Sequence, residues 1–283
     1  MQADDAAQEL ILQWNEQSKN PTNAFTAPLK ATLQRRTEEK LESVRSLYTN
    51  FLARYPNHAA GHLAYGSFLG DLGEDDDMVK HWETSRKLDP NNPAAWNNLA
   101  GHYAHVGPVR TAFDYFEKAI ALNPREPQYY HSLGTCVFLF RKDAREHWNI
   151  DEQAVFARAL SLYSNSLRLD STNFILATDI AQTFYGIKPA PSTNLMVNAA
   201  AETALVQQAL GAWTNALRLA GGPVETEGTL VHLFRWKLRQ GRFQEAREIL
   251  ARIQLPVYAE LKKRLERSLR DKEAGAPEKA PPN

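Results

Sequence analysis

The residues able to do chemistry are few and poorly matched. His58 and His62, and again His102 and His105, are three or four positions apart, a spacing that puts two imidazoles on one face of a helix and in reach of a single cation. No third ligand of suitable type stands at a matching interval, so no metal and no cofactor are expected. Cys136 is the only cysteine and lies in the apolar run Cys136-Val137-Phe138-Leu139. Those surroundings favour a buried, inert thiol, and one thiol makes neither an internal disulfide nor a multi-cysteine zinc site. Asp75-Asp76-Asp77 could draw a cation, but at the start of a helix its charges are better read as offsetting the positive end of the helix dipole. The patterns G-x-S-x-G, G-x-x-x-x-G-K-[ST] and G-x-G-x-x-G do not occur. The chain is therefore expected not to be an enzyme.

Composition narrows the partners. Thirty-three basic residues cancel thirty-three acidic ones, which removes the positive footprint of a nucleic-acid binder, and no nucleic-acid partner is expected. Hydrophobic residues make up 43% of the 283 positions, enough for a continuous core. No run of about 18 apolar residues exists, so no integral membrane segment is expected. The start, MQADDAAQELILQW, is acidic and has neither a basic leader nor an apolar signal core. It fits a cytoplasmic chain, or a mature end left after a leader was removed, which would place the protein in the periplasm or outside the cell.

A repeated pair of helices positions these residues. Between Pro93 and Glu126, Trp96, Leu99, Ala100 and Tyr103 keep the i, i+3, i+4, i+7 spacing of one helical face. Gly107-Pro108 interrupts, Ala112, Phe116 and Ala119 form a second face, and Pro124 closes the unit. Pro56, Pro90 and Pro124 recur at intervals of 34, as do Tyr48, Trp82 and Phe116. The order W-x2-L-A-x2-Y, Gly, A-x3-F-x2-A, Pro resembles the tetratricopeptide (TPR) motif, with Ala100 in place of its glycine. The resemblance implies an all-α, right-handed α-α superhelix of about five helix pairs with capping helices. Neither face of a pair can be buried alone, so stacked neighbours complete the core.

In chain order, an N-terminal capping helix is expected in 1–24, on the side formed by Leu10, Ile11 and Trp14. The array covers 25–254, with repeats at about 25–58, 59–92, 93–126, 127–173, 174–223 and 227–254. The first is degenerate, with a poor first helix (LKATLQRR) and a good second one from Thr37 to Ala53. Closing Leu169-Asp170-Ser171 stands 47 rather than 34 residues after Pro124, an insertion of 13 assigned to Arg141–Gln153. The next repeat carries an insertion of 16, including Lys188-Pro189-Ala190-Pro191-Ser192 and extra helix after Asn194. A charged C-terminal capping helix is expected in 255–271 and a disordered tail in 272–283.

In TPR proteins the first helices line a concave groove for an extended peptide or a partner helix, and the resemblance implies the same here. Residues of those helices outside the packing stripe are Asn97, Asn98, Gly101 and His105, then Gln128, His131, Ser132 and Thr135, then Thr178, Asp179, Gln182 and Tyr185. The partner-binding candidates are Asn97, Asn98, His105, His131, Thr135, Asp179, Gln182 and Tyr185; side-chain amides can pair with both donor and acceptor of a peptide backbone. Some TPR domains clamp a terminal carboxylate. Asn98 occupies a clamp position, but Leu63, Ser67, Gln128 and Ser132 stand where that clamp needs lysine, asparagine and two cations, so this role is rejected.

The two insertions are expected on one edge, where Arg141, Arg145, His147 and Trp148 form either a binding lip or a brace. The apolar run Val137–Phe140 beside them is expected to be covered by the insertions. The sequence thus reads as a non-catalytic interaction scaffold or adaptor for a protein or peptide. The alternatives are a small-molecule, metal-dependent or enzymatic site at the insertion edge, around His131, His147 and Tyr185, and self-association, so that homo-oligomerisation stays open.

Overall fold

The computed structural model describes residues 27–189 and 191–275. The helix expected in 1–24 lies outside the described residues, as does the tail expected in 272–283 from 276 onward; residues 272–274 instead continue the last helix. Among the described residues there are thirteen α-helices, one 3-10 turn and no strand, the all-α class that the sequence suggests. No helix among them is long and apolar enough to cross a membrane. The chain divides into two compact units between Gly107 and Pro108.

The first unit holds α1 (Ala27–Arg54), α2 (Ala59–Asp71), α3 (Asp75–Leu88) and α4 (Pro93–Val106). α1 differs from expectation. One unbroken helix of 28 residues occupies the place of a poor helix followed by a good one. No glycine or proline interrupts the stretch after Pro28, and Glu, Lys, Arg and Leu are all strong helix formers, so nothing stops propagation. Val44 and Leu52 of α1 are buried with Tyr65, Phe68 and Leu69 of α2 and Met78 of α3.

The 34-residue period has a physical content in hydrogen bonds. His58, Asn92 and Glu126 cap α2, α4 and the next first helix by accepting from backbone N–H groups two or three positions on. Two residues before each cap, the carbonyls of Pro56, Pro90 and Pro124 bond the rings of His62 (2.9 Å), Trp96 (2.9 Å) and Tyr130 (3.2 Å). Each ring thereby fixes the angle at which the chain enters its helix. The small residue one turn further on has an equally definite reason. A Cβ added at Gly66 would stand 2.6 Å from Trp82 Cδ1, and one at Gly134 would stand 2.9 Å from the Tyr163 ring. The turn after α2 needs a left-handed residue, which Gly73 supplies at φ 76°.

The second unit holds α5 (Val109–Leu122), α6 (Pro127–Leu139), α7 (Arg141–Trp148), α8 (Glu152–Leu169), α9 (Phe174–Thr183), α10 (Leu195–Leu219), α11 (Pro223–Arg239), α12 (Phe243–Ala251), a 3-10 turn (Pro256–Tyr258) and α13 (Ala259–Ala274). α7 and the loop after it fill the first insertion; the loop after α9 and the early turns of α10 fill the second. Helix α6 packs on α8 directly, and α9 to α13 each pack on the helix before them in the chain. Their shared core is led by Trp213, Phe234 and Trp236, all at most 1% exposed. Cys136 is 3% exposed, and burial pushes its thiol up to about 12, which leaves it protonated and unreactive.

Candidate binding face

The first helices of successive repeats meet through side chains in the second unit. His131 on α6 and Asp179 on α9 lie 48 residues apart in sequence, yet Nε2 and Oδ2 are 2.7 Å apart. Both are partly open to solvent, at 22% and 31%. Thr135, one turn after His131, accepts a hydrogen bond of 3.3 Å from the Tyr163 hydroxyl, which burial holds above the usual phenol range. The Tyr163 ring also lies 5.8 Å from that of His131. A donor, a carboxylate and a hydroxyl are thus held on one strip by α8 behind it. Gln182 on α9 is exposed on its own.

Tyr185 follows the end of α9 and begins a second cluster. Its hydroxyl is 3.0 Å from Nδ1 of His232 on α11, its ring stacks on Trp236 at 5.0 Å, and 42% of its surface is open. His232 lies parallel to Trp213 at 4.0 Å. Burial, assisted by the Arg235 cation, pushes this imidazole down to about 4, so it is neutral near pH 7. Burial raises the Tyr185 phenol, and Arg235 acts against that rise. The buried indole Nε1 of Trp213 has no hydrogen-bond partner among the described residues. His232, Trp213 and Trp236 were not among the residues expected at the site. The available signal was His232 and Trp236 at i, i+4 on a first helix, which begins at Pro223 rather than at Glu227.

In the first unit the candidates stand apart. Asn97 is half-buried, and its Oδ1 is buried without a partner. Asn98 is partly buried one position on, and His105 is exposed in the last turn of α4. A Cβ at Gly101 would meet no described residue within 4 Å. A histidine pair lies elsewhere in this unit. His62 Nε2 donates to the Pro56 carbonyl, and its Nδ1 shares a hydrogen bond of 2.8 Å with His81 Nδ1. Among the described residues no three His, Cys, Asp or Glu side chains are grouped to hold a metal ion.

The insertion edge is mostly engaged with the protein itself. His147 pairs with Asp114 of α5 at 3.4 Å, and Trp148 packs on Phe113 at 4.6 Å while Arg158 of α8 lies 4.0 Å over its ring. Arg141 donates to the Phe138 carbonyl at 2.6 Å and covers the rings of Phe138 and Phe156. Arg145 is exposed. The Lys188 N–H, in the second insertion, donates to Gln153 Oε1 at 2.7 Å and ties the two insertions together. The apolar run is only partly covered: Val137 is fully buried, but Leu139 remains 59% exposed.

No protein-family model matches the sequence, and no curated protein does. Solved structures do match. YrrB, described as a TPR protein with an unusual peptide-binding site, is 13% identical, covers 78% of this chain and 97% of its own, and has a TM-score of 0.57. PilF of Pseudomonas aeruginosa is 16% identical, with coverage of 97% and 98% and a TM-score of 0.54. The C-terminal part of a TPR repeat-containing protein from Cytophaga hutchinsonii is 13% identical, with coverage of 94% and 95% and a TM-score of 0.57.

Proposed function

We propose that this chain, which has the tetratricopeptide-repeat fold, is a non-catalytic interaction scaffold that holds a peptide or helix of a partner protein on the face made by its first helices. The observation that carries this reading is the contact between first helices of successive repeats in the second unit. His131 of α6 meets Asp179 of α9, and Tyr185, just after α9, meets His232 of α11. Polar and aromatic groups held by the scaffold lose little freedom on binding, so a peptide laid across them meets a preorganised surface. The peptide-binding site named for YrrB supports the same use of the fold. Asn97, Asn98 and His105 offer the corresponding contacts in the first unit, and Thr135 and Gln182 extend the strip in the second.

The insertion side chains hold α5, α7 and α8 together, which favours a brace over a lip. Catalysis draws no support from this cluster, where the neutral His232 faces a phenol held protonated. The test is affinity capture from lysate and envelope fractions of the source organism, with the wild type beside Asn98→Ala, Tyr185→Ala. A protein retained by the wild type and lost by a variant of unchanged melting temperature supports the face. Equal capture by both, or loss of the fold, overturns it.

A further inference from the structure

We propose that the groove between α11 and α13 is a docking site for an acidic segment of a partner protein, one that sets carboxylate side chains beside a bulky apolar one. The groove is a cavity of about 440 Å³ in the second unit, within the range of roughly 300–1,000 Å³ usual for ligand sites. Its floor is apolar, formed by Phe234 and Leu238 of α11 with Leu261 and Leu265 of α13. Its rim carries Arg235 and Arg239 on one wall, with Arg264 and Lys272 on the other. Among the described residues no carboxylate is part of its lining. In a chain whose formal charge is zero, four cations around one groove are a local excess.

The four cations are not equivalent. Arg239 pairs with Glu202 at 2.6 Å and lies over the Trp236 ring, while Arg235 is directed at the Tyr185 hydroxyl. Arg264 and Lys272 have no side-chain hydrogen bond or ion pair with any described residue. They are the charges left for a ligand. Exposed ion pairs alone give little affinity, so the apolar floor has to supply part of it. A free phosphate would leave that floor uncovered, whereas a peptide with an apolar side chain between carboxylates would fill it and meet the rim together.

The walls are held at a fixed spacing. The buried Glu227 of α11 accepts the N–H groups of Gln254 (3.0 Å) and Leu255 (2.8 Å), just before the 3-10 turn. Tyr258 donates to the Val224 carbonyl at 2.9 Å, and Lys262 donates to the Ile253 carbonyl at 2.8 Å. The groove therefore exists before any partner arrives. It also adjoins the Tyr185 cluster through Arg235, so the proposal deepens the scaffold reading by naming the chemistry of the partner at one end of the face.

The experiment is fluorescence anisotropy on the full chain with a labelled peptide of alternating glutamate and leucine, beside its glutamine–leucine and glutamate–serine counterparts. The glutamate–leucine peptide is expected to bind at least tenfold more tightly than either counterpart and to weaken with salt. Arg264→Glu, Lys272→Glu should abolish binding with unchanged helicity and melting; Arg264→Gln, Lys272→Gln serves if charge reversal disturbs the fold. Equal binding of the glutamine peptide, or indifference to these variants, overturns the proposal. Competition by inorganic phosphate, together with equal binding of the serine peptide, would make the groove a small-anion site and overturn the peptide assignment. Sedimentation showing self-association that the variants remove would assign the groove to a second copy and likewise overturn it. If Asn98→Ala, Tyr185→Ala leaves partner capture intact while charge reversal removes peptide binding, the groove stands and the scaffold face falls; the reverse pattern sinks the groove alone.

Discussion

Two histidine–aromatic clusters, one in each unit, show what the regular and irregular parts of the chain do differently. In the first unit His62 and His81 stack at 5.0 Å within one repeat, and His62 is also a member of the periodic ring-to-proline series. In the second, His232 is placed by Trp213 from the preceding repeat and Tyr185 from the segment before the second insertion. The neighbouring charges differ as well. Asp77 and Lys80 act in opposite senses on His81, whereas His232 faces the cation Arg235 alone. Strict repetition builds groups that serve the repeat. Where insertions break the period, side chains from different repeats converge.

In the irregular part the groove beside α13 is pinned by Glu227, and removing that pin should have the largest effect. Glu227 is 8% exposed and accepts two backbone N–H groups. Glu227→Ala leaves both donors without their acceptor, and a loss of about 3 kcal/mol is expected in urea unfolding. The same variant should lose the glutamate–leucine peptide. Retained binding would show that the groove does not need the fixed spacing.

The regular part breaks differently. Gly66→Val drives a side chain into Trp82, and Gly134→Val does the same against Tyr163. Each should cost about 2 kcal/mol by overpacking, with the change appearing in the denaturation midpoint. A cost below about 0.5 kcal/mol would show that the rings can move aside.

These glycines also mark how far the sequence could be read. Gly66, Ala100 and Gly134 are legible because the close approach of two helices selects small residues at a fixed interval. The prolines and turns set the helix pairs in the same way. His131 and Asp179 were legible as positions on first helices, whereas Tyr185, read on the same helix, follows its end. The pairing of His131 with Asp179 was not legible, since it depends on how two repeats with an insertion between them are rotated. His232, Trp213 and Trp236 were missed for a related reason, because two of them look like core residues on an apolar stripe. Arg264 read as the solvated side of a cap and Lys272 as the start of a disordered tail, whereas α13 runs on to Ala274 and sets both cations beside α11 at the groove.

A smaller effect separates the two histidine clusters by pH. The folded pKa of His232 lies near 4, below the usual imidazole value, so between pH 6.5 and 4 the unfolded chain binds more protons than the native one. Stability therefore falls as pH drops through that window. About 1 kcal/mol should be lost between pH 7 and pH 5, after allowing for the partial solvent access of the ring. His232→Phe should flatten this part of the profile, measured by urea unfolding at each pH. An unchanged profile would place the acid sensitivity elsewhere, with His81, also lowered by burial, as the next candidate.

The smallest effect links stability to use of the face. Gly101 in α4 and Gly211 in α10 are both mid-helical, and a Cβ at either would meet nothing within 4 Å. A glycine so placed weakens a helix by about 0.5–1 kcal/mol relative to alanine, so Gly101→Ala and Gly211→Ala should each stabilise the protein by that amount. Their consequences for binding should differ. Gly101 shares the first helix of its repeat with Asn97 and Asn98, where a partner backbone would run close, whereas Gly211 is on a second helix. Gly101→Ala should then weaken partner capture while raising the melting temperature, and Gly211→Ala should raise the melting temperature alone. Equal capture by both would remove close backbone approach as the reason for an open glycine on the first-unit face, and would confine the docking surface to the second unit.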